Sequence, residues 1–382
     1  MNSWTALLPL AVLTAGALLL LVVEAFSKSG DKTRQGGLTL AVLAASAWAL
    51  VGGWDRNLSF FGNSLALDNF ALFLGLALTA AAALVVLMCL RYVPLAGLGI
   101  GEYYPLLLFS LSGALIMLSS TNLLVIFLGL EVLSVSGYAL AGLRLHDERS
   151  GEAALKYFLL GSFASAFFVF GLALAFGASG SLEIEALLGC LGSGPGEPAL
   201  ALAGLAFLLA GLAFKMSLVP FHMWTPDVYQ GAPLPAAAFF SVAPKVAAFA
   251  VLLRLAAPLL GEGLQGGAAF RWILTGLTVL TLVVSNLAAI RQTNVKRLLA
   301  YSSIAHAGTM LLAVLAGDPE KLIFYLTVYI FMNLGAFAAV TALCRRGEER
   351  SELEDFSGLG FRYPWLGALF SFFLLSLAGF PP

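Results

Sequence analysis

Glu131, Lys156, Lys215 and Lys245 lie inside stretches of sequence that otherwise consist almost entirely of apolar residues. An ionisable side chain at the centre of a bilayer costs about 2.5–3.5 kcal/mol on insertion scales, and such residues are retained mainly where protons or ions must cross. Glu131, in LLVIFLGLEVLSVSGYAL, falls about nine residues into its run, or roughly 13 Å deep at the helical rise. It is either a carboxylate that takes part in transport or one that only bonds a neighbouring helix. Lys215 sits in GLAFKMSLVPFHMWTPDVYQGAPLP. Pro220 has no N–H and disfavours helical geometry at Val219, and Pro226, Pro233 and Pro235 follow closely, so the helix is expected to break inside the membrane. Irregular backbone at that depth is tolerated only inside protein or beside water. The carbonyls freed at the break favour a cation one turn back, where Lys215 lies. The polar residues around it (Ser217, His222, Trp224, Thr225, Asp227, Tyr229 and Gln230) suggest a wet pocket, as against a simple proline kink with a snorkelling lysine.

Lys245, in SVAPKVAAFAV, is again about mid-height, roughly 13 residues into its run. Lys156, in EAALKYFLLGSFASAFF, lies nearer one end, where its long side chain has the option of snorkelling to the interface. His306 and Tyr301-Ser302-Ser303 put polar groups into a further run, as part of a water-lined path or as packing hydrogen bonds. A carboxylate near a buried amine favours its charged form, and withdrawing the carboxylate favours the neutral form. One glutamate and several lysines therefore suffice for a proton relay that needs no cofactor.

These residues must be held by membrane helices. Hydrophobic residues make up 60% of the 382-residue chain and charged ones 11%, with a mean hydropathy of +0.95, whereas soluble chains carry about 25% charged residues. Runs long enough to span a bilayer as helix fall near 4–25, 37–54, 68–90, 104–120, 122–143, 153–177, 199–220, 232–258, 270–290, 297–316, 321–344 and 363–380. They are continuous and do not alternate in period two, which excludes a β-barrel. The chain reads as an all-α polytopic membrane protein. The first run lacks a basic start and is followed by its positive charges, so it reads as an uncleaved helix.

Basic residues divide unequally between the loops. Odd-numbered loops carry Lys28, Lys32, Arg34, Arg91, Arg144, Arg149, Arg291, Lys296, Arg297, Arg345, Arg346, Arg350 and Arg362; even-numbered loops carry Arg56, Arg254, Arg271 and Lys321. The positive-inside rule then puts odd loops in the cytoplasm and the N-terminus outside. With a net charge of −1 and no basic patch, nothing points to nucleic acid. Cys89, Cys190 and Cys344 are far apart and His146, His222 and His306 are scattered, which suits neither a disulfide framework nor a metal, haem or iron–sulfur site. No redox cofactor or nucleotide is expected in this chain.

Three stretches carry a family resemblance: GEAALKYFLLGSFASAFFVFG (151–171), GLAFKMSLVPFHMWTPDVYQGAP (211–233) and KRLLAYSSIAHAGTMLLA (296–313). They resemble the antiporter-like subunits of respiratory complex I, among them most closely the N subunits of bacterial NADH:quinone oxidoreductase. Lys at position 245, where other antiporter-like subunits often have His, favours that type. The resemblance runs over nearly the whole chain. It implies a fold of fourteen transmembrane helices, of which about twelve are present here, with inverted five-helix repeats that each contain a broken helix. The organisation it implies is a three-helix segment at 1–100, a first repeat at 101–260 with its break near 215–231, and a second repeat at 261–382. It further implies a Glu131–Lys215 pair, relay lysines at 156 and 245, and a place for His306 between half-channels. The function implied is proton translocation in a bacterial inner membrane, coupled to quinone reduction elsewhere in the complex. Flavin and iron–sulfur clusters, NADH and quinone would be bound by partner subunits. A multi-subunit Na+/H+ antiporter or membrane-bound hydrogenase subunit is the alternative with the same fold, and a passive membrane scaffold is a third reading. The family has a further lysine and two more helices after a motif like SLAGFPP, so the gene is expected to continue past Pro382.

The charge asymmetry makes a direct prediction. A cysteine introduced at Asn57 is expected to react with an impermeant thiol reagent on intact cells, and one at Arg346 to remain unlabelled until the membrane is opened. The reverse pattern would invert the topology.

Overall fold

The computed structural model describes residues 6–27, 32–62, 64–97, 101–192, 195–261, 264–345 and 349–380. Each of the apolar runs found in the sequence is a helix. They are α1 (Leu8–Phe26), α2 (Thr33–Val51), α3 (Asn69–Leu95), α4 (Tyr103–Ser119), α5 (Leu123–Ala141) and α6 (Glu148–Ser179). After a short α7 (Ile184–Gly189) come α8 (Pro198–Met216), a short α9 (Trp224–Gly231), α10 (Leu234–Leu260), α11 (Gly267–Ala289), α12 (Val295–Leu315) and α13 (Pro319–Leu343). A 3₁₀ turn at Leu353–Phe356 and α14 (Leu359–Arg362) lead into α15 (Pro364–Leu377). Among the described residues nine helices are long and apolar enough to cross a membrane, and α4 and α15 are shorter apolar ones. The sequence did not disclose an antiparallel hairpin of β1 (Leu58–Phe60) and β2 (Leu65–Leu67) in the second loop, nor the short α7, α14 and 3₁₀ turn.

Side-chain caps set several helix starts. Asp68, Asn122, Asp147, Asn294 and Asp318 each accept a hydrogen bond from a backbone N–H in the first turn of α3, α5, α6, α12 and α13. The cap takes up a donor that would otherwise be orphaned at the membrane edge. Asp147 starts α6 several residues before the apolar run begins.

Lipid tails are as apolar as leucine, so helices in a membrane associate through close packing. Gly113 of α4 and Gly129 of α5 lie so close that a Cβ on Gly129 would meet the Gly113 carbonyl at 2.8 Å; a Cβ on Gly171 of α6 would meet Leu208 N of α8 at 2.7 Å. These contacts fix the helices that carry Glu131 and Lys215. At the centre is α10, with 94% of its most apolar 18-residue window buried, against 22% for α11. It packs against α3, α4, α5, α8, α9, α11, α12 and α13. Cys89, Cys190 and Cys344 are free and buried.

On the face formed by the odd-numbered loops, Glu349 ties distant elements together. It receives a hydrogen bond from Tyr92 Oη and pairs with Arg144 at 3.2 Å and with Lys296 at 2.9 Å. Lys296 also donates to the Ala232 carbonyl, between α9 and α10, at 2.7 Å. Lys296 counted as a loop charge in the sequence, yet its side chain is only 1% exposed. The first turn of a helix is a poor place for a cation, and Glu349 supplies the compensating charge. Burial would push the Glu349 carboxyl up, but Lys296 and Arg144 outweigh it and hold it below the ordinary value. Its contribution to stability is therefore complete above the ordinary carboxylate range and is lost as pH falls through the lowered folded value. Replacing Glu349 by Ala leaves Lys296 buried without its counter-charge and is expected to cost about 3–5 kcal/mol. Thermal unfolding in detergent would register this as a lower midpoint at neutral pH, with the difference from the parent shrinking in acid.

Candidate functional site in the membrane interior

The break foreseen at Pro220 is present. α8 stops at Met216, and Ser217 adopts the left-handed conformation at φ +61° that usually falls to glycine. The N–H groups of Ser217 and Leu218 close back on the Phe214 and Ala213 carbonyls at 3.0 and 2.9 Å. Two side chains complete the seal. Trp224 Nε1 donates to Phe214 O at 3.0 Å, and Val219 N donates to Thr281 Oγ1 of α11 at 3.1 Å. These backbone groups find their partners within the protein. This changes one expectation: the Phe214 carbonyl is taken by the indole rather than left to face Lys215.

Lys215 is 1% exposed, and among the described residues its Nζ has no hydrogen-bond partner. It lies 5.5 Å from the Tyr138 ring centroid and 5.4 Å from those of Tyr157 and Phe214. Tyr157 stacks on Trp224 at 4.5 Å with only 4° between the planes. An ammonium among aromatic faces is attracted by their quadrupoles without being held by a directional bond. Glu131 and Lys215 form no ion pair, but they are close enough for their charges to interact. Tyr138 is within electrostatic range of the same carboxylate.

Glu131 is half-buried on α5 and accepts a hydrogen bond from Ser165 of α6 at 2.5 Å. It lines a cavity of about 480 Å³ with Phe127, Ser162, Ser165 and Phe170. Ser162 and Phe170 are exposed on the outside of the chain, so the cavity opens on its lateral surface.

Lys245 is fully buried in α10 and donates to both the carbonyl (2.6 Å) and the hydroxyl of Ser303 in α12. Ser303 Oγ meets Tyr329 Oη at 2.8 Å and Tyr229 Oη at 3.4 Å. Tyr329 donates to Ser241 O at 2.9 Å, and Asn333 bonds the Ser241 hydroxyl. A chain of hydroxyls thus joins α9, at the break, to Lys245 and α13. Tyr229 also packs edge-on against Trp224 at 6.3 Å, which brings this chain to the aromatic wall beside Lys215. His306, one turn beyond Ser303, bonds Tyr325 Oη through Nδ1 at 2.7 Å and packs against Tyr329 at 5.4 Å. α15 ends at Leu377, before Gly379 at φ +95°. The second break expected at SLAGFPP falls partly on residues 381–382, outside the described residues.

Lys156 stands apart from this group. Its side chain is 41% exposed and pairs with Glu152 at 2.6 Å and Asp227 at 2.7 Å. Asp227 in turn pairs with Arg297 at 2.6 Å. Of the two readings left open by the sequence, the geometry is that of an interfacial lysine, tying α6 to α9 and α12. The expected wet cluster divides accordingly. Trp224, Thr225 and Tyr229 are buried, whereas Asp227 and Gln230 turn to Arg297.

Sequence reasoning missed Tyr138, Tyr157, Ser165, Ser241, Tyr329 and Asn333. Asn333, in the apolar run YIFMNLGAF, carried a signal, since polar groups in such runs face the interior or a partner. The tyrosines carried no such signal, and only the fold brings Tyr138 and Tyr157 to Lys215.

Comparison with known proteins places this architecture. Residues 120–382 match the family described as NADH:quinone oxidoreductase/Mrp antiporter, TM. The chain belongs to that family. NADH-quinone oxidoreductase subunit N of Chloroflexus aggregans is 45% identical, over 98% of this chain and 78% of its own length. A chain of respiratory complex I from Thermus thermophilus with bound aureothin superposes with a TM-score of 0.82 at 38% identity, covering 98% of this chain and 79% of its own. A chain of the membrane-bound sulfane sulfur reductase, an archaeal respiratory membrane complex, gives 0.87 at 26% identity, covering 100% and 79%. The all-helical antiporter-like fold read from the sequence is the fold of this family.

The hydroxyl network generates a test. Tyr329→Phe removes the hydroxyl that joins Ser303 to Ser241 and strands buried partners, which is expected to destabilise by about 1–3 kcal/mol. Unfolding of the purified protein should show this loss, and Tyr325→Phe, at the half-buried end of the network, should lose less.

Proposed function

We propose that this chain carries protons across a bacterial inner membrane as the N-type, non-redox membrane subunit of an NADH:quinone oxidoreductase. The observation that carries the reading is Lys215, buried at a helix break with no hydrogen-bond partner among the described residues and with Glu131 in electrostatic reach. A lysine held by cation–π contacts alone loses little geometry when it gives up its proton. A shift of the α5 carboxylate changes which protonation state is favoured. Lys215 is then the switch, and the hydroxyls of Tyr229, Ser303 and Tyr329 lead to Lys245. His306 stands on the path between half-channels, and Lys156 with Asp227 forms the solvent-facing mouth.

The opening of the Glu131 cavity on the lateral surface supports a neighbouring membrane subunit there, because a carboxylate facing lipid at mid-depth would be costly. Flavin, iron–sulfur clusters, NADH and quinone belong in this reading to partner subunits, and the N-terminus faces the outer side. Identities of 45% and 38% to NADH-quinone oxidoreductase and complex I chains favour this over the Na+/H+ antiporter or hydrogenase alternative.

Lys215→Ala and Glu131→Gln are each expected to reduce proton uptake by vesicles containing the complex by about two orders of magnitude, the usual contribution of a positioned proton donor. Assembly should survive, since an intramembrane charge is removed. Lys215→Arg should also fail, because guanidinium does not release its proton. Full pumping by Lys215→Ala would take this lysine out of the mechanism and leave the scaffold reading.

A further inference from the structure

Away from the proton-handling residues, two cavities meet on the face of the odd-numbered loops. The first, of about 410 Å³, is an apolar groove between α3, α13 and α15, lined by Leu84, Leu87, Phe331, Leu334 and Phe373. Leu87 and Phe331 are each 51% exposed. Its floor depends on Gly335, where a Cβ would run into the Phe373 ring. The second, of about 420 Å³, lies at the loop end and is lined by Arg91, Arg345, Arg350 and Tyr363. Arg91 and Ala342 line both, so the two are continuous.

We infer that this composite site binds one anionic phospholipid, with the headgroup phosphate among the arginines and an acyl chain in the groove. Three observations agree. Along α13 the lining runs from Phe331 to Ala342, about 16 Å at the helical rise, close to the roughly 15 Å hydrocarbon depth of one leaflet. The polar end is built of guanidinium groups, whose planar fork suits phosphate oxygens, and among the described residues no carboxylate lines it. The nearby Glu349 is engaged by Lys296 and Arg144. Tyr363, 52% exposed, stands at the level where amphipathic aromatics meet headgroups. Basic pockets between transmembrane helices are a recognised setting for anionic lipid.

The test uses the whole complex, with a photoreactive phenylalanine analogue at Phe331, delipidated and supplied in turn with dioleoylphosphatidylglycerol, dioleoylphosphatidylcholine or inorganic phosphate. The expected result is a phosphatidylglycerol adduct on this chain, in clear excess over phosphatidylcholine and not displaced by millimolar phosphate. Arg345→Gln, an exposed site, should lower the adduct yield about fivefold, the effect of one cation near an anionic surface. Ala338→Trp, which fills the groove, should abolish it. Equal adducts from the two lipids, a yield unchanged in both variants, displacement by phosphate alone, or a crosslink to a peptide in place of lipid would each overturn the assignment.

Discussion

In hydrocarbon no water stands ready to satisfy a broken backbone or a stray charge, and the interior of this protein is organised around that constraint. The break after Met216 frees carbonyls and N–H groups at membrane depth. Trp224, Thr281 and the left-handed turn at Ser217 take up several of them. None of these bonds uses the Lys215 ammonium, which is left to aromatic faces and to the distant Glu131. A lysine that capped the broken helix directly would be held in one protonation state, whereas here the structural task and the charge are carried by different side chains.

The same division recurs at Lys245. Its hydrogen bonds go to one residue, Ser303, which is itself bonded to Tyr329 and Tyr229. This buried network ties α9, α10, α12 and α13 together. It also offers a line of exchangeable hydroxyl protons between the broken helix and the central lysine. α10 is so thoroughly enclosed that its lysine has no access to water except through such neighbours.

Nearer the odd-loop face the chemistry becomes that of fixed ion pairs. Lys156–Asp227–Arg297 fastens the short helix α9 to α6 and α12, and Glu349 gathers Tyr92, Arg144 and Lys296. Both clusters bear on the later half of the broken segment, through Asp227 of α9 and the Ala232 carbonyl just after it. The segment is thus rigidly anchored at the interface and polarisable at its core. Glu131 faces sideways, into the cavity that opens on the lateral surface.

Much of this was legible in the sequence because bilayer thickness and proline stereochemistry act locally. Run length disclosed every long helix, Pro220 disclosed the break, and the rarity of charges in apolar runs singled out Glu131, Lys215 and Lys245. Distance along the chain could not separate Lys156 from the others, since whether a lysine snorkels depends on an anion elsewhere, here Asp227, 71 residues away. Nor could it show that Lys296 is buried, because Glu349 reaches it from a later loop. The aromatic wall of Tyr138, Tyr157 and Trp224 and the hydroxyl chain through Ser303 and Tyr329 were equally hidden. Composition and periodicity determine which segments enter the membrane. Only the tertiary packing decides which polar groups meet there, because each such contact joins helices whose spacing no local pattern records.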